Sequence, residues 1–201
     1  MLQPFVVVDV YMKAAFFDRD GVINAESSAY VTSVADFDPI PGSIDAISRL
    51  TKAGWQTFVV TNQSSVARKM ITVAGLEEIH QHLMELVEQA GGRIDAIYFC
   101  PHGPGDGCKC RKPWPGMLLK AQTEFQLDLA HSAMIGDSLR DMQAANHAGC
   151  GCKIVVQTGY GQETVTSMTA LGIEVDYVAE DLADAATWLL ATFPDGISGN
   201  G

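Results

Sequence analysis

The sequence has little positive charge: 13 Lys and Arg stand against 24 Asp and Glu, for a formal net charge of -11. Phosphate-rich surfaces are held by clustered Lys and Arg, so this balance excludes a general nucleic-acid or anionic-membrane binding face. An anionic small substrate is compatible with it only where local cations or a metal receive the charge. Long apolar runs are lacking too, none approaching the roughly 18 to 20 residues of a membrane span. The opening residues include Phe5-Val6-Val7-Val8 but have neither a basic start nor a small-residue cleavage site, which argues against a signal peptide. Cysteine is scarce and odd in number: there are five, with Cys100, Cys108 and Cys110 inside eleven residues and Cys150 and Cys152 flanking Gly151. That clustering fits a reducing compartment and a metal better than a disulfide framework, so the expectation is a cytoplasmic protein without nucleic-acid or membrane partners. With no internal repeat, linker or second hydrophobic core in sight, one domain is the default.

What is present suffices for a well-buried core: 201 residues, 47% hydrophobic and 18% charged. Met12-Lys13 reads as a natural start, which assigns 1–12 to an N-terminal extension, 13–193 to the domain, and 194–201 to a flexible Gly/Ser/Asn tail. The chain is organised around Ala14-Ala15-Phe16-Phe17-Asp18-Arg19-Asp20-Gly21, an apolar run that stops in two carboxylates and a glycine. Such a run predicts a buried strand whose carboxyl end opens into a loop, the place where open α/β sheets keep their chemistry. An ordinary strand-to-turn transition has the same residues, so this pattern alone leaves both readings open.

Further along, strands and helices alternate. A long irregular loop leads to a helix with Ile44, Ile47 and Leu50 at helical spacing, ended by Gly54. Trp55 to Val60 reads as a strand ending in Thr61-Asn62-Gln63-Ser64, and Val73 to Ala90 as a helix with Leu76, Ile79, Leu83 and Val87 on one face. Ile94 to Phe99, Ser132 to Gly136, Lys153 to Val156 and Tyr177-Val178 are further strands. Met117 to Phe125, Ser138 to Ala148 and Leu182 to Leu190 are further helices. Alternation of this kind predicts a three-layer α/β/α sandwich with a central, mostly parallel, Rossmann-like sheet.

Parallel strands bring their carboxyl ends to one rim, and there Asp18, Asp20, Thr61, Asn62, Lys112 and Asp137 collect. Each alone has an ordinary explanation: Thr61 as a helix cap, Lys112 as a solvated cation. Together they suit phosphoryl transfer, because clustered carboxylates repel unless a cation such as Mg²⁺ sits among them, and Lys112 and Thr61 are then placed to stabilise phosphoryl charge. A separate cluster, Cys100-Pro101-His102 followed after five residues by Cys108-Lys109-Cys110-Arg111-Lys112-Pro113, supplies one imidazole and three thiolates. That set closes a tetrahedral Zn²⁺ site with no open position, which is the structural type. Cys150 and Cys152 have no adjoining His or further Cys, and their expected role is packing at the start of a strand.

Asp18-x-Asp20-Gly21, the strand ending in Thr61-Asn62, Lys112 and Gly136-Asp137-Ser138-x-x-Asp141 resemble, in order, the four motifs of the haloacid dehalogenase-like phosphohydrolases over about residues 13 to 160. The resemblance implies that Asp18 is the nucleophile forming an aspartyl-phosphate and Asp20 the general acid and then base. It implies that Thr61 and Lys112 hold the phosphoryl oxygens, and that Asp18, the backbone carbonyl of Asp20 and Asp137 bind Mg²⁺. Asp141 either orients Lys112 or lies on a helix surface. The zinc loop, Tyr30-Val31, Thr61-Asn62-Gln63-Ser64, Ala67-Arg68 and Lys112-Pro113-Trp114-Pro115-Gly116 resemble the cap-less branch that contains the D-glycero-D-manno-heptose 1,7-bisphosphate 7-phosphatases and the histidinol-phosphatases. Its implications are a sugar-phosphate substrate, removal of a C7 phosphate in nucleotide-activated heptose (lipopolysaccharide) biosynthesis, and substrate contacts from Arg19, Glu26, Tyr30, Asn62, Gln63, Ser64, Arg111 and Ser138. Without a cap domain, the expected state is a monomer. The five-residue spacer also resembles histidinol-phosphatases, and Ser65 and Lys69 stand where the heptose pattern has glycines, so histidinol phosphate stays open as substrate. Ser65 is expected to alter the backbone there, since serine adopts positive φ poorly. A phospho-acceptor signalling module is the non-enzyme alternative, and Asp20 argues against it, because a carboxylate beside the nucleophile speeds hydrolysis.

Overall fold

The computed structural model describes residues 13–194. The expected extension at 1–12 lies outside the described residues, as does the expected tail apart from Pro194.

Ala14–Phe17 forms β1, and all four residues are buried. Side chains alternate across a strand, so Ala14 and Phe16 enter one apolar layer and Ala15 and Phe17 the other. That is why the sequence shows an unbroken apolar run instead of an alternating one. Around β1 lie β2 (Gln56–Asn62), β3 (Ala96–Cys100), β4 (Ser132–Gly136), β5 (Cys152–Val156) and β6 (Tyr177–Ala179). They form a six-stranded sheet in the order β3-β2-β1-β4-β5-β6 with every pairing parallel. The order reverses direction at β1/β4, which opens the crevice where such sheets bind ligands.

Helices cover both faces. α1 (Ser43–Lys52), α3 (Val73–Gln89) and α7 (Leu182–Thr192) supply the layer holding Leu50, Ile79 and Leu189, whereas α4 (Gly116–Phe125) and α5 (Leu139–Ala148) supply the layer holding Leu118 and Met142. The expected single core is thus two apolar clusters, divided by the sheet itself. Phe16 stacks on Phe58 at 5.1 Å across β1 and β2, and Phe58 meets Phe125 of α4 edge-on at 4.9 Å. Truncating such a ring costs about 3 to 5 kcal/mol, so β1 is anchored firmly just before the residues it presents.

The expected elements are found, with boundaries shifted by one or two residues, as in β3 and α7, and with three further differences. β2 continues through Thr61 and Asn62, because both pair with β3. A one-turn helix, α2 (Ser64–Ala67), follows it. The parallel β5–β6 pair is joined by α6 (Gly161–Leu171), which the periodicity does not reveal because its buried positions include Gly161 and Thr164 along with Met168. Between β1 and α1 the chain forms only a short 3-10 turn, Val34–Asp36, and isolated bridges through Asn24, so no separate cap domain stands over the rim among the described residues. No described helix is long and apolar enough to cross a membrane.

Candidate active site

Register decides the site. Phe17 pairs with Val59 on one side and Ile135 on the other, so Asp18 emerges level with the ends of β2 and β4. The Asp18 N–H continues that ladder by donating to the Ile135 carbonyl at 3.0 Å. Asp18, Asp20, Thr61, Lys112 and Asp137 line a cavity of about 310 Å³.

Lys112 is 2% exposed and links several of these groups. Its ammonium lies 2.8 Å from Asp18 Oδ2 and 2.5 Å from Asp141 Oδ1, and it donates to the Val60 carbonyl at 2.8 Å. Burial pulls the Lys112 pKa down, but Asp141 and Asp18 outweigh that and raise it. Asp141, one of the two readings of which was a surface carboxylate, is fully buried; its Oδ2 also accepts from the Ser138 N–H (2.9 Å) and hydroxyl (2.6 Å), capping α5. It therefore orients Lys112.

Asp137 is 2% exposed and accepts from the Tyr160 N–H at 2.9 Å. Gly21 and Gly159 hem its carboxylate from two sides: a Cβ on either would stand 2.2 or 2.1 Å from Oδ2. Both glycines have positive φ, so a side chain is excluded on two counts. Carboxylate oxygens of Asp18, Asp137 and Asp141 lie within 4.8 Å of one another. Three acids against the single Lys112 leave uncompensated negative charge in a buried space. Burial pushes Asp18 up to about 7 against the pull of Lys112, with Asp141 adding to the rise. Burial, then Asp18 and Asp141, push Asp137 up to about 8.

Asp20 behaves oppositely. Burial acts to raise its carboxyl, but the Arg19 charge and hydrogen bonds from Asn24, Arg19 and Gln63 prevail and hold it below the ordinary carboxylate range. Arg19 reaches Oδ1 at 2.8 Å and Oδ2 at 3.0 Å, Asn24 donates to Oδ1 at 2.9 Å and Gln63 to Oδ2 at 2.8 Å.

Among the expected substrate contacts, Ser64, Ser138, Glu26, Tyr30, Asn62, Gln63 and Arg111 line the cavity. Arg19 does not: it is fully buried behind Asp20, with His80 Nε2 3.4 Å from its Nη1. The resemblance implied a substrate contact for Arg19, but the side chain turns into the protein. Asn62 touches the wall, yet its amide clamps the Lys112 backbone, accepting from N–H at 3.0 Å and donating to C=O at 3.1 Å. Arg68, Arg140 and Tyr160 also line the cavity, beyond the expected contacts. Arg68 stands over the Tyr30 ring at 5.9 Å, and the charge of Glu26 raises the Tyr160 hydroxyl pKa. Burial and then Asp20 raise the Glu26 carboxyl. Tyr160 follows a strand end, β5, which is the one signal that pointed to it.

Cys100, His102, Cys108 and Cys110 converge as expected. Cys100 Sγ lies 3.6 Å from Cys108 Sγ and 3.2 Å from Cys110 Sγ, and His102 Nδ1 is 3.3 Å from Cys110 Sγ. A tetrahedral zinc with bonds near 2.3 Å spaces its sulfurs about 3.8 Å apart, so the cluster is slightly tighter than its zinc-filled geometry. Arg111 Nη1 donates to the His102 carbonyl at 3.1 Å, which fastens Arg111 to this loop and aims it at the cavity. Cys150 and Cys152 are buried, with burial pushing both thiols up to about 12, in keeping with packing alone.

Ser65 does not carry the expected backbone change. It lies in α2 and is absent from the positive-φ positions, whereas Lys69 has φ 58 and takes the conformation that glycine favours.

The HAD-hydrolase-like family model matches residues 109–185. A D-glycero-beta-D-manno-heptose-1,7-bisphosphate 7-phosphatase of Bordetella bronchiseptica is 47% identical over 180 residues, covering 89% of this chain and 98% of that protein. The enzyme of the same name from Pseudomonas aeruginosa is 44% identical over 173 residues, 86% of this chain and 95% of that one. The crystal structure of D,D-heptose 1,7-bisphosphate phosphatase from B. bronchiseptica, complexed with magnesium and phosphate, superposes with a TM-score of 0.85 at 46% identity over 90% of this chain and 99% of that one. Identity of this degree over nearly the whole of both chains places the protein by descent as well as by geometry: it belongs to the D-glycero-beta-D-manno-heptose-1,7-bisphosphate 7-phosphatase family of haloacid dehalogenase-like hydrolases.

Proposed function

We infer that this protein is a magnesium-dependent phosphatase that removes the C7 phosphate of D-glycero-β-D-manno-heptose 1,7-bisphosphate, in the supply of nucleotide-activated heptose for lipopolysaccharide. The observation that carries this reading is one cavity lined by Asp18, Thr61 and Lys112 together with Arg68, Arg111 and Arg140. Those cations give a chain of net charge -11 a place for a doubly phosphorylated sugar. The full-length relatives carry this activity in their names. They favour it over histidinol phosphate, which the spacer and the Ser65 and Lys69 departures had left open.

The donor set fits Mg²⁺, a hard cation that takes carboxylate and carbonyl oxygens and keeps sites for phosphate. Asp18, Asp137 and the Asp20 carbonyl would hold it, and the raised carboxyls of Asp18 and Asp137 mark the positive charge that the buried acids require. Bound there, Mg²⁺ would supply the positive charge that offsets the phosphoryl oxygens and keeps Asp18 ionised. A carboxylate oxygen of Asp18 attacks phosphorus; the bond to the C7 oxygen breaks, and Asp20 passes a proton to that oxygen. In the resting site Asp20 is held ionised, so it takes up this proton as the substrate's negative charge arrives beside it. Asp20, again a carboxylate, then removes a proton from water, whose oxygen attacks phosphorus and releases phosphate from Asp18. Lys112 and Thr61 hold the phosphoryl oxygens throughout, with Asn62 and Asp141 fixing Lys112. Zn²⁺ on Cys100, His102, Cys108 and Cys110 has a structural role, holding the loop that presents Arg111. The same reading makes the enzyme a cytoplasmic monomer without nucleic-acid or membrane partners; five unpaired cysteines and the acidic surface support it.

The test compares kcat/KM for the two anomers of the heptose bisphosphate with that for histidinol phosphate. A clear preference for the bisphosphate is expected, and a preference for histidinol phosphate overturns the substrate assignment.

A further inference from the structure

Gln63 follows β2 directly and is 3% exposed. Its Nε2 lies 2.8 Å from Asp20 Oδ2 and 2.9 Å from Thr61 Oγ1. Chemistry fixes which way the amide faces. An ionised carboxylate only accepts, and a reversed amide would set its carbonyl oxygen against Asp20. Both amide hydrogens are therefore committed, one to each partner.

The consequence for Thr61 follows from counting donors and acceptors. A hydroxyl has one hydrogen and two acceptor lone pairs. Thr61 Oγ1 accepts from Gln63 and has no other hydrogen-bond partner among the described residues. Its hydrogen is left to donate, and Thr61 lines the cavity beside Asp18 and Lys112. A hydroxyl without this neighbour turns freely and presents a lone pair to an incoming anion part of the time, which repels it.

Resting on the phosphatase reading above, we propose that Gln63 is a positioning residue and not a substrate contact. By donating to Thr61 Oγ1 it turns the Thr61 hydroxyl hydrogen toward the transferring phosphoryl group, and by donating to Asp20 it ties that hydroxyl to the proton-transferring carboxylate. One buried amide thus couples the phosphoryl-holding and proton-handling sides of the site.

The test is a double-mutant cycle on the affinity of the full-length, Mg²⁺-loaded protein for orthovanadate, a phosphoryl mimic, measured by titration calorimetry. A hydrogen bond to a charged group predicts that Thr61→Val weakens orthovanadate roughly 10- to 100-fold with Gln63 present. In Gln63→Glu the new carboxylate accepts the hydroxyl hydrogen and turns it away from the anion. Thr61→Val is then expected to cost less than about 2-fold in that background, because the contact is already lost. The uncharged Gln63→Leu frees the hydroxyl without capturing it and shrinks the Thr61→Val factor only partly, so it serves if Gln63→Glu proves unstable in thermal unfolding. An unchanged Thr61→Val factor in both backgrounds overturns the coupling. If Thr61→Val has no effect even with Gln63 present, the phosphate-holding role of Thr61 fails first, and the proposal with it.

Discussion

Asp137→Asn should stabilise the magnesium-free protein at alkaline pH while destroying its response to magnesium. In the folded state Asp137 is pushed up to about 8 from an ordinary value of 3.8. Between those values the unfolded chain has released the proton and the folded one retains it, so each rise in pH favours unfolding. Stability is thus lost progressively as pH climbs from about 4 to about 8, and the full penalty is present above that. From pH 5.5 to 8 the window is roughly 2.5 pH units at about 1.4 kcal/mol each, or about 3 kcal/mol. Asparagine has no charge to bury and still offers an oxygen to the Tyr160 N–H, so the variant escapes this cost. Equilibrium urea unfolding of both proteins across pH 5.5 to 8.5, in magnesium-free buffer without chelator so that zinc is retained, reads the difference directly. The gap in unfolding free energy should widen by about 3 kcal/mol over this range, and the Tm gap by about 6 to 12 °C for a chain of this size. Saturating Mg²⁺ should close it by stabilising the wild type alone. Parallel pH profiles, or equal stabilisation of both proteins by Mg²⁺, would refute the account of three buried acids awaiting a cation.

Three other perturbations address the remaining parts of the site. Asp18→Asn should lower kcat by more than roughly 10³-fold, as loss of a covalent nucleophile does, and Asp20→Asn by about 10²- to 10⁴-fold; single-turnover kinetics should show the first without any phosphoryl-enzyme. Full magnesium-dependent turnover in Asp18→Asn would remove the nucleophile assignment. Cys108→Ser should release zinc, measured by elemental analysis, and lower kcat/KM because Arg111 loses its anchored loop. Zinc-free wild-type protein together with unaltered folding of Cys108→Ser would discard the structural-zinc reading. Lys69→Gly should raise Tm by about 2 to 4 °C, since a non-glycine residue at φ 58 costs about 1 kcal/mol; no gain in thermal unfolding would show that Lys69 contacts offset the strain.

The parts of this protein that were legible in the sequence share a cause: each is written in a short stretch of chain. A fully buried strand must be apolar throughout, so β1 announces itself, and the residues after it must lie at its carboxyl end. Strand-helix alternation commits the sheet to parallel pairing, which gathers Asp18, Thr61 and Asp137 on one rim wherever the strands stand in order. The zinc ligands lie within eleven residues, and their chemistry fixes the ion class before any fold is known. α6 escaped because its inner face uses a glycine and a threonine, which carry no apolar rhythm.

Direction and long-range partnership were decided only by the tertiary structure. Arg19 adjoins Asp18 in the chain but turns inward to Asp20 and to His80 of α3, where it is fully buried. Asn62 serves the Lys112 backbone fifty residues away, and Asp141 serves its ammonium, pairings that depend on how the loop after β3 crosses the rim. Asp-x-Asp by itself was two acids in a turn. The folded environment gives them opposite characters: Asp18, facing Asp141 and Asp137 across a buried space, is pushed upward, while Asp20, surrounded by Arg19, Asn24 and Gln63, is held down. The residues were chosen by the sequence, but burial and neighbours, which exist only in the fold, set the division of labour between them.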